Sequence, residues 1–210
     1  MQKYNIMQDM INRKLAVVIR GENITMAEKT ADACFQAGIK TLELTFTVPG
    51  ANDLLTKLRD KYKEDALIGA GTVLDSETAR VAILAGASFI VSPTFDKATA
   101  KLCNRYAIPY IPGCMTINEM MEALDYGASI IKLFPGNVFS PSFIGNIHGP
   151  LPQLSIMPTG GITLENIDEW LNAGAVMVGV GGEITKPAKY NDYSKVEQLA
   201  HQFQQKVGES

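Results

Sequence analysis

One lysine lies within an apolar run, where a charged side chain is unusual. Lys132 is the fourth residue of SIIKLF (129–134), which has the length and composition of a buried strand. A charged ammonium in a dry interior is costly, so such a lysine pairs with a carboxylate, extends to solvent or loses its proton. A neutral lysine amine attacks ketones and forms a Schiff base. Lys132 is therefore a candidate Schiff-base lysine, with a structural ion pair as the alternative.

Glu43 is the second candidate, because it alternates with leucines in TLELT (41–45). In a strand, Thr41, Glu43 and Thr45 face one side, and the leucines face the other. We expect the leucines to face covering helices and Glu43 to face the interior. There it is either a salt-bridge partner of Lys132 or an acid/base that moves protons while a carbinolamine forms and collapses. Close contact would favour a charged lysine, so we expect an acid/base at this position to act through water or at a longer separation.

Two further polar residues directly follow apolar runs. Arg20 follows LAVVI (15–19), and Thr72 follows ALIGAG (66–71). A guanidinium and a hydroxyl on neighbouring strand ends suit a planar carboxylate, which arginine binds in bidentate fashion. The alternative is that Arg20 is an ordinary surface arginine.

Two glycine-rich stretches have the composition of phosphate-binding turns. PTGGIT (158–163) and GVGG (179–182) follow the last two apolar runs. In barrels, backbone N–H groups after strands seven and eight often hold phosphate. Simple tight turns are the alternative, and the negative charge of Glu183 counts against a phosphate close by.

The elements that position these residues follow one repeating pattern: an apolar run, a turn rich in Gly, Pro or Thr, and a helical segment. The apolar runs are LAVVI (15–19), TLELT (41–45), ALIGAG (66–71), SFIVS (88–92), PYIPG (109–113), SIIKLF (129–134), LSIMP (154–158) and AVMVGV (175–180). Alternating strands and helices predict a parallel sheet covered on both faces. Eight units after a short N-terminal helix predict a (β/α)8 TIM barrel in a single domain of residues 1–210.

A doubly wound open sheet also satisfies the alternation, but the polar residues favour a barrel. They lie at the ends of different strands, which converge on one mouth in a barrel and spread along an edge in an open sheet. These residues are Arg20, Glu43, Thr45, Thr72, Ser92, Lys132, Thr159 and Gly181.

Composition excludes several classes of function. Hydrophobic residues make up 46% and charged residues 20%, and the formal net charge of −3 gives no reason to expect nucleic acid binding. No window reaches the ~18 apolar residues of a membrane span, and no signal peptide is evident. Three cysteines without a CxxC pair indicate a reducing compartment, so we expect a cytoplasmic protein. Since the chain has only two histidines, we expect no histidine-rich metal site.

Taken together, the motifs resemble those of a known enzyme family. IIKLFPG, TLELTFTVPG, IGAGTVLD, FIVSPTFD, YIPGCMT, MPTGGIT and GVGG are similar to the bacterial 2-keto-3-deoxy-6-phosphogluconate (KDPG) and 4-hydroxy-2-oxoglutarate (KHG) aldolases, over about residues 12–188. The resemblance implies a class I aldolase with a (β/α)8 barrel, no metal or other cofactor, and usually a homotrimer. Such an enzyme cleaves a 2-keto-3-deoxy acid to pyruvate and an aldehyde.

The resemblance also implies roles for individual residues. Lys132 resembles the Schiff-base lysine, Glu43 the general acid/base, and Thr72 a ligand of the pyruvate carboxylate. The other implied substrate-binding positions are Arg20, Pro93, Phe134, Thr159, Gly160, Gly161, Gly181 and Gly182. The expected substrate is KDPG, which gives pyruvate and glyceraldehyde 3-phosphate, with 4-hydroxy-2-oxoglutarate as a further one.

Two positions depart from the family pattern. Thr47 stands where well-known members have an arginine, so the carboxylate contact is assigned to Arg20 instead. Glu183 stands where some members have a serine that helps to hold phosphate. The galactonate epimer of KDPG and unphosphorylated acids therefore remain alternative substrates.

Two other classes of protein remain open. A phosphosugar isomerase or epimerase would share the glycine-rich turns but would need paired acid/base groups or a metal, and a non-catalytic barrel would bind a keto acid without forming an imine. Cys114 is interpreted as a packing residue rather than a reactive thiol. Phe139 and Phe143 are expected either at a subunit contact or near the mouth of the barrel.

Overall fold

The structure, a computed structural model, describes residues 1–209. The strands are β1 (Leu15–Ile19), β2 (Thr41–Thr45), β3 (Leu67–Gly71), β4 (Ile90–Val91), β5 (Tyr110–Ile111), β6 (Gly113–Cys114), β7 (Ile131–Leu133), β8 (Ile156–Pro158) and β9 (Val178–Val180). The helices are α1 (Gln2–Arg13), α2 (Ile24–Gln36), α3 (Ala51–Tyr62), α4 (Ser76–Leu84), α5 (Lys97–Arg105), α6 (Ile117–Asp125), α7 (Ser142–His148), α8 (Ile167–Asn172), α9 (Gly182–Thr185) and α10 (Tyr193–Glu209).

The strands form the wall of a closed parallel barrel. Strands β5-β4-β3-β2-β1-β9 are paired in that order, and β6-β7-β8 form a second parallel set. The two sets join at Pro112, whose carbonyl accepts a hydrogen bond from the Lys132 N–H at 2.9 Å. On the other side, a parallel bridge between Thr159 and Gly179 links the end of β8 to β9. The prediction of a (β/α)8 barrel with an N-terminal helix is therefore confirmed.

The fifth run of the sequence forms two short strands instead of one. The prediction of a single strand over 109–113 is wrong in this detail, since β5 pairs with β4 and β6 pairs with β7. Pro112 lies between the two pieces and has no N–H to donate, so the ladder is interrupted there. In the wall of the barrel, β5 and β6 together occupy one of eight positions.

Several helices that follow strands begin at polar side-chain caps. Asn23 accepts a hydrogen bond from the Met26 N–H at the start of α2, and Asp75 accepts one from the Thr78 N–H at the start of α4. Thr116 begins α6 with a capping box. Because these caps lie close to the preceding strands, the connecting loops are short, and they build the mouth of the barrel.

Two apolar clusters lie on the two sides of the wall. The outer cluster, between wall and helices, includes Leu42 and Leu44, as the alternation in β2 predicts. The inner cluster fills the lumen with residues that include Ala16, Phe89 and Met157, and α1 adds Ile6 and Met10 to it. Helix α1 therefore covers the N-terminal end of the barrel, and the lumen opens only where the strands end.

In residues 1–209, no helix combines the length and the apolar character needed to cross a membrane.

Candidate active site

Lys132 and Glu43 meet in the lumen near the mouth. Along the wall the order is β2, β3, β4, β5/β6, β7, so β2 and β7 face each other across the barrel. Nζ of Lys132 lies 3.4 Å from Oε1 of Glu43. The two side chains are only 6% and 1% exposed. Strands distant in sequence thus bring together one amine and one carboxylate that are both shielded from solvent.

Their contact is direct but loose. We expected Glu43 to lie farther from Lys132 or to act through water, and the structure shows an ion pair instead, because the two side chains converge from opposite strands. The 3.4 Å separation is longer than the ~2.8 Å of a strong charge-assisted hydrogen bond. The ring centroid of Phe134 lies 5.2 Å from Nζ, so an ammonium here also has a cation–π contact.

The carboxylate of Glu43 depends on a neighbouring glycine for its position. A Cβ atom at Gly71, in the adjacent strand β3, would lie 2.2 Å from Oε1 and 2.5 Å from Cγ of Glu43. Only glycine leaves this space. The second carboxylate oxygen, Oε2, is buried and has no hydrogen-bond partner in residues 1–209. This oxygen is available to accept a hydrogen bond from a bound molecule.

A cavity of about 380 Å³ lies at the mouth on one side of this pair, and we call it the substrate cavity. Seven of the eleven predicted site residues line it: Arg20, Phe134, Thr159, Gly160, Gly161, Gly181 and Gly182. The Thr159 hydroxyl is buried without a hydrogen-bond partner among the described residues. The glycine-rich turns after β8 and β9 therefore form one wall of a polar pocket.

The other predicted residues lie elsewhere in the site. Thr72 and Pro93 follow β3 and β4, which are opposite β8 and β9 in the barrel. Lys132 and Glu43 stand between these two sides. Thr72 is half-buried and has a left-handed backbone, with φ of 56°. This conformation is costly for a β-branched residue and is found most often at functional sites.

Arg20 does not share a cavity with Thr72. Arg20 lines the substrate cavity beside the glycine turns. Strand order explains this, because β1 is paired with β9, which carries one of these turns, whereas β2 separates β1 from β3. The expected joint contact of Arg20 and Thr72 with one carboxylate stays a prediction.

Sequence reasoning missed Asn137, which also lines the substrate cavity. It lies in the turn after β7, and its Cβ is 2.7 Å from where a Cβ atom of Gly161 would lie. Its position directly after the IIKLFPG motif was the available signal.

Three residues considered from the sequence lie outside the cavity. Cys114 is 2% exposed in the outer core, and burial raises the pKa of its thiol to about 12. A neutral buried thiol is a packing group, so the interpretation of Cys114 is confirmed. The rings of Phe139 and Phe143 contact each other in a tilted arrangement, with their centroids 4.4 Å apart, and both pack against the outer core.

No group of three or more His, Cys, Asp or Glu side chains that could hold a metal ion occurs within residues 1–209.

Comparisons with known proteins identify one family. The family model for KDPG and KHG aldolases matches residues 6–199. A 2-dehydro-3-deoxy-phosphogluconate aldolase of Treponema pallidum is 34% identical, over 91% of this chain and 92% of its own length. A 2-dehydro-3-deoxy-6-phosphogalactonate aldolase of Escherichia coli is 31% identical, over 90% of each chain.

A solved structure of a family member has the same fold as this chain. It is the KDPG aldolase of Legionella pneumophila with pyruvate captured as a covalent carbinolamine intermediate. The TM-score is 0.83 at 31% identity, and the match covers 90% of this chain and 92% of that one.

Proposed function

The chain belongs to the KDPG and KHG aldolase family, and on that premise we propose that Lys132 is its Schiff-base lysine and Glu43 its acid/base. The enzyme is an aldolase of class I. Its proposed reaction is the reversible cleavage of KDPG to pyruvate and glyceraldehyde 3-phosphate, with cleavage of 4-hydroxy-2-oxoglutarate to pyruvate and glyoxylate as a further activity. The whole chain, residues 1–210, acts as one catalytic domain.

The observation that best supports this proposal is the burial of the Lys132 amine. A carbinolamine, such as the one captured in the relative from Legionella pneumophila, is an adduct of an amine with a carbonyl carbon. Of the lysines in residues 1–209, only Lys132 is buried. It is also the only one that faces a buried carboxylate across the lumen.

The first steps form the imine. The ion pair and the aromatic ring of Phe134 both stabilise an ammonium, so Lys132 must give up a proton before it attacks. Glu43 is the adjacent acceptor. The neutral amine then attacks the C2 ketone, and Glu43 returns a proton to the departing hydroxyl of the carbinolamine, which leaves as water.

Cleavage follows from the electron-withdrawing iminium. Glu43 accepts the proton of the C4 hydroxyl, the C3–C4 bond breaks, and its electron pair moves to C3 as the iminium becomes an enamine. The C4 fragment departs as the aldehyde. Glu43 then protonates C3, and water hydrolyses the resulting iminium to release pyruvate and the free lysine. One carboxylate close to the nitrogen suits all these transfers.

The two sides of the mouth suggest an orientation for the substrate. The carboxylate of the substrate lies towards Thr72 and Pro93, on one side of Lys132. Both residues are half-buried, and Thr72 offers a hydroxyl group there. The tail beyond C4 extends into the substrate cavity, past Thr159 and the glycine turns, where Arg20 is the cationic side chain.

A second substrate is the galactonate epimer of KDPG. The relative from Escherichia coli, named a 2-dehydro-3-deoxy-6-phosphogalactonate aldolase, supports it at 31% identity. The two substrates differ only in the configuration at C4.

We further propose that catalysis needs no metal and that the enzyme is a cytoplasmic homotrimer. A Schiff base provides the electron sink that a metal would otherwise supply. Large apolar side chains on and beside α4, namely Leu74, Val81 and Leu84, are 56%, 48% and 66% exposed and are suited to a contact between subunits. All three cysteines are free and buried, which suits a reducing compartment.

A coupled assay tests the proposed reaction. Purified enzyme is incubated with KDPG, its galactonate epimer or 4-hydroxy-2-oxoglutarate, and released pyruvate is measured with lactate dehydrogenase and NADH. We expect turnover of KDPG that survives excess EDTA and is absent in Lys132→Ala. Retained turnover in that variant, or a strict requirement for added metal, contradicts the proposal.

A further inference from the structure

The loop that connects β4 to α5 carries Pro93, one of the predicted site residues. The pairing of β4 with β5 ends at Ser92, whose N–H donates a hydrogen bond to the Ile111 carbonyl at 3.2 Å. Pro93 has no N–H with which to continue this ladder. Within residues 1–209, positions 93–95 make no backbone–backbone hydrogen bond. Other contacts must therefore hold Pro93 in place.

The hydroxyl group of Tyr110 supplies two of these contacts. It accepts a hydrogen bond from the Asp96 N–H at 3.1 Å and donates one to the Thr94 carbonyl at 3.2 Å. The Tyr110 ring is 5% exposed and packs in the outer cluster. Burial raises the pKa of this hydroxyl to about 12, so it keeps its proton at neutral pH and remains a donor. One oxygen atom thus closes the turn that directly follows Pro93.

Two further features fix the ends of this turn. At its far end, the Asp96 carboxylate accepts a hydrogen bond from the Thr99 N–H at 2.7 Å and caps α5. At its near end, a Cβ atom at Gly113 would lie 2.2 Å from the carbonyl oxygen and 2.3 Å from the carbonyl carbon of Pro93. Only glycine allows the backbone of Pro93 to pack this closely against β6. Pro93 therefore lies between β6 and the turn that Tyr110 closes.

The position of Pro93 matters because of its neighbours. Gly113 is paired with Lys132 in the register of β6 and β7, so the Pro93 backbone packs beside the strand that carries the lysine. On the other side, β4 is paired with β3, which ends just before Thr72. A binding site needs its walls held within about 0.5 Å of the productive geometry. A displacement of this loop would therefore reach the part of the site that receives the keto acid.

We propose that Tyr110 is a positioning residue for the keto-acid end of the substrate. Through the turn 94–96, its hydroxyl group holds Pro93 against β6, where Pro93 and Thr72 face the substrate carboxylate. The proposal rests on the proposed aldolase function, which places the carboxylate on that side of Lys132. Tyr110 itself does not contact the substrate, because its ring lies between the wall of the barrel and the helices.

The variant Tyr110→Phe tests the proposal, because it removes only the hydroxyl group and keeps the buried ring. Pyruvate is condensed with D-glyceraldehyde 3-phosphate, and the KM is measured separately for each. We expect the KM for pyruvate to rise by about three- to tenfold, the scale of one lost hydrogen bond, while kcat and the KM for the aldehyde change by less than about twofold. The pyruvate concentration that gives half-maximal borohydride trapping should rise by the same factor as the KM for pyruvate.

The matched control is Tyr62→Phe. Tyr62 is also a buried tyrosine, 4% exposed, and its hydroxyl group donates a hydrogen bond to Asp32. It lies at the C-terminal end of α3, whereas this helix begins at the mouth. Both variants lose a buried hydrogen bond and should have a lower Tm. Only Tyr110→Phe should change the KM for pyruvate, and this difference separates positioning from a merely structural role.

The outcomes separate this proposal from the one on which it rests. If Tyr110→Phe has a lower Tm and an unchanged KM for pyruvate, as expected for Tyr62→Phe, Tyr110 is a structural residue only and the proposal is overturned. An equal rise in both KM values also contradicts it, since the effect would not be confined to the keto-acid end. If the unaltered enzyme forms no trapped adduct with pyruvate, the aldolase function itself is wrong, and this proposal is overturned with it.

Discussion

Substituting Gly71 by alanine should slow catalysis although it replaces neither proposed catalytic residue. The added Cβ would lie 2.2 Å from Oε1, 2.5 Å from Cγ and 2.7 Å from Cδ of Glu43. Ordinary contacts of a Cβ begin near 3.4 Å. The carboxylate must therefore move by about 1 Å, away from the position that it holds opposite Lys132.

The size of the effect follows from this displacement. A misplacement of about 1 Å in a catalytic group lowers the rate by about 10², which corresponds to ~2.7 kcal/mol of activation free energy. Overpacking of a filled interior also costs about 1–3 kcal/mol of unfolding free energy. For a chain of 210 residues, this lowers the Tm by several degrees and leaves the fold intact.

Two assays measure the two effects. Pyruvate release from KDPG gives kcat and KM for Gly71→Ala, and scanning calorimetry gives its Tm. The matched control is Gly145→Ala, because a Cβ at Gly145, in helix α7, meets no atom within 4 Å. We expect the control to keep its rate and to gain slightly in stability, since alanine is the better helix residue. A Gly71→Ala enzyme with unchanged kcat would refute the assigned position and role of Glu43.

Three further predictions follow from burial and chemistry. Glu43→Gln keeps the volume and removes the titratable group, so kcat for KDPG should fall by about 10²–10⁴ while borohydride trapping of pyruvate persists; an unchanged rate removes Glu43 from the mechanism. Leu42→Ala deletes a fully buried side chain of the outer core and should cost about 2–5 kcal/mol in urea unfolding, whereas a loss below about 1 kcal/mol would contradict the assigned packing. Burial raises the pKa of Cys34, Cys103 and Cys114 from 9.0 to about 12, so folded thiols stay protonated where unfolded ones ionise. The contribution of these thiols to the free energy of unfolding should therefore be fully present below pH 9 and be lost as the pH rises from 9 towards 12. Urea titrations at pH 8 and pH 10 that show equal stability would contradict this.

The barrel was predictable because its signals are local and repeated. Each strand lies within an apolar run of the sequence. The alternation in TLELT correctly predicted that Glu43 faces the lumen and Leu42 the outer core. The break at Pro112 was readable in principle, since proline cannot donate to a ladder, but a run of five residues favoured one strand. Local sequence patterns thus predict where strands lie better than they predict a break within a strand.

The arrangement of the site was only partly predictable. Strand-end residues were expected at one mouth, and Lys132 and Glu43 do meet there, although 89 positions separate them in sequence. Their distance, the space that Gly71 leaves, and the side of the mouth on which Arg20 lies depend on strand order and barrel curvature, which no short motif encodes. The positive φ of Thr72 is likewise set by tertiary packing and cannot be read from IGAGTV.

The central claim, that Lys132 forms an imine with the keto acid, is tested most directly by trapping. The enzyme is incubated with pyruvate and sodium borohydride, and intact-mass spectrometry is followed by peptide mapping. The account predicts one pyruvate-sized adduct per chain, on the peptide that contains Lys132, and none in Lys132→Ala. Folded enzyme that gains no adduct with pyruvate in excess, or gains it at another lysine, would contradict the account.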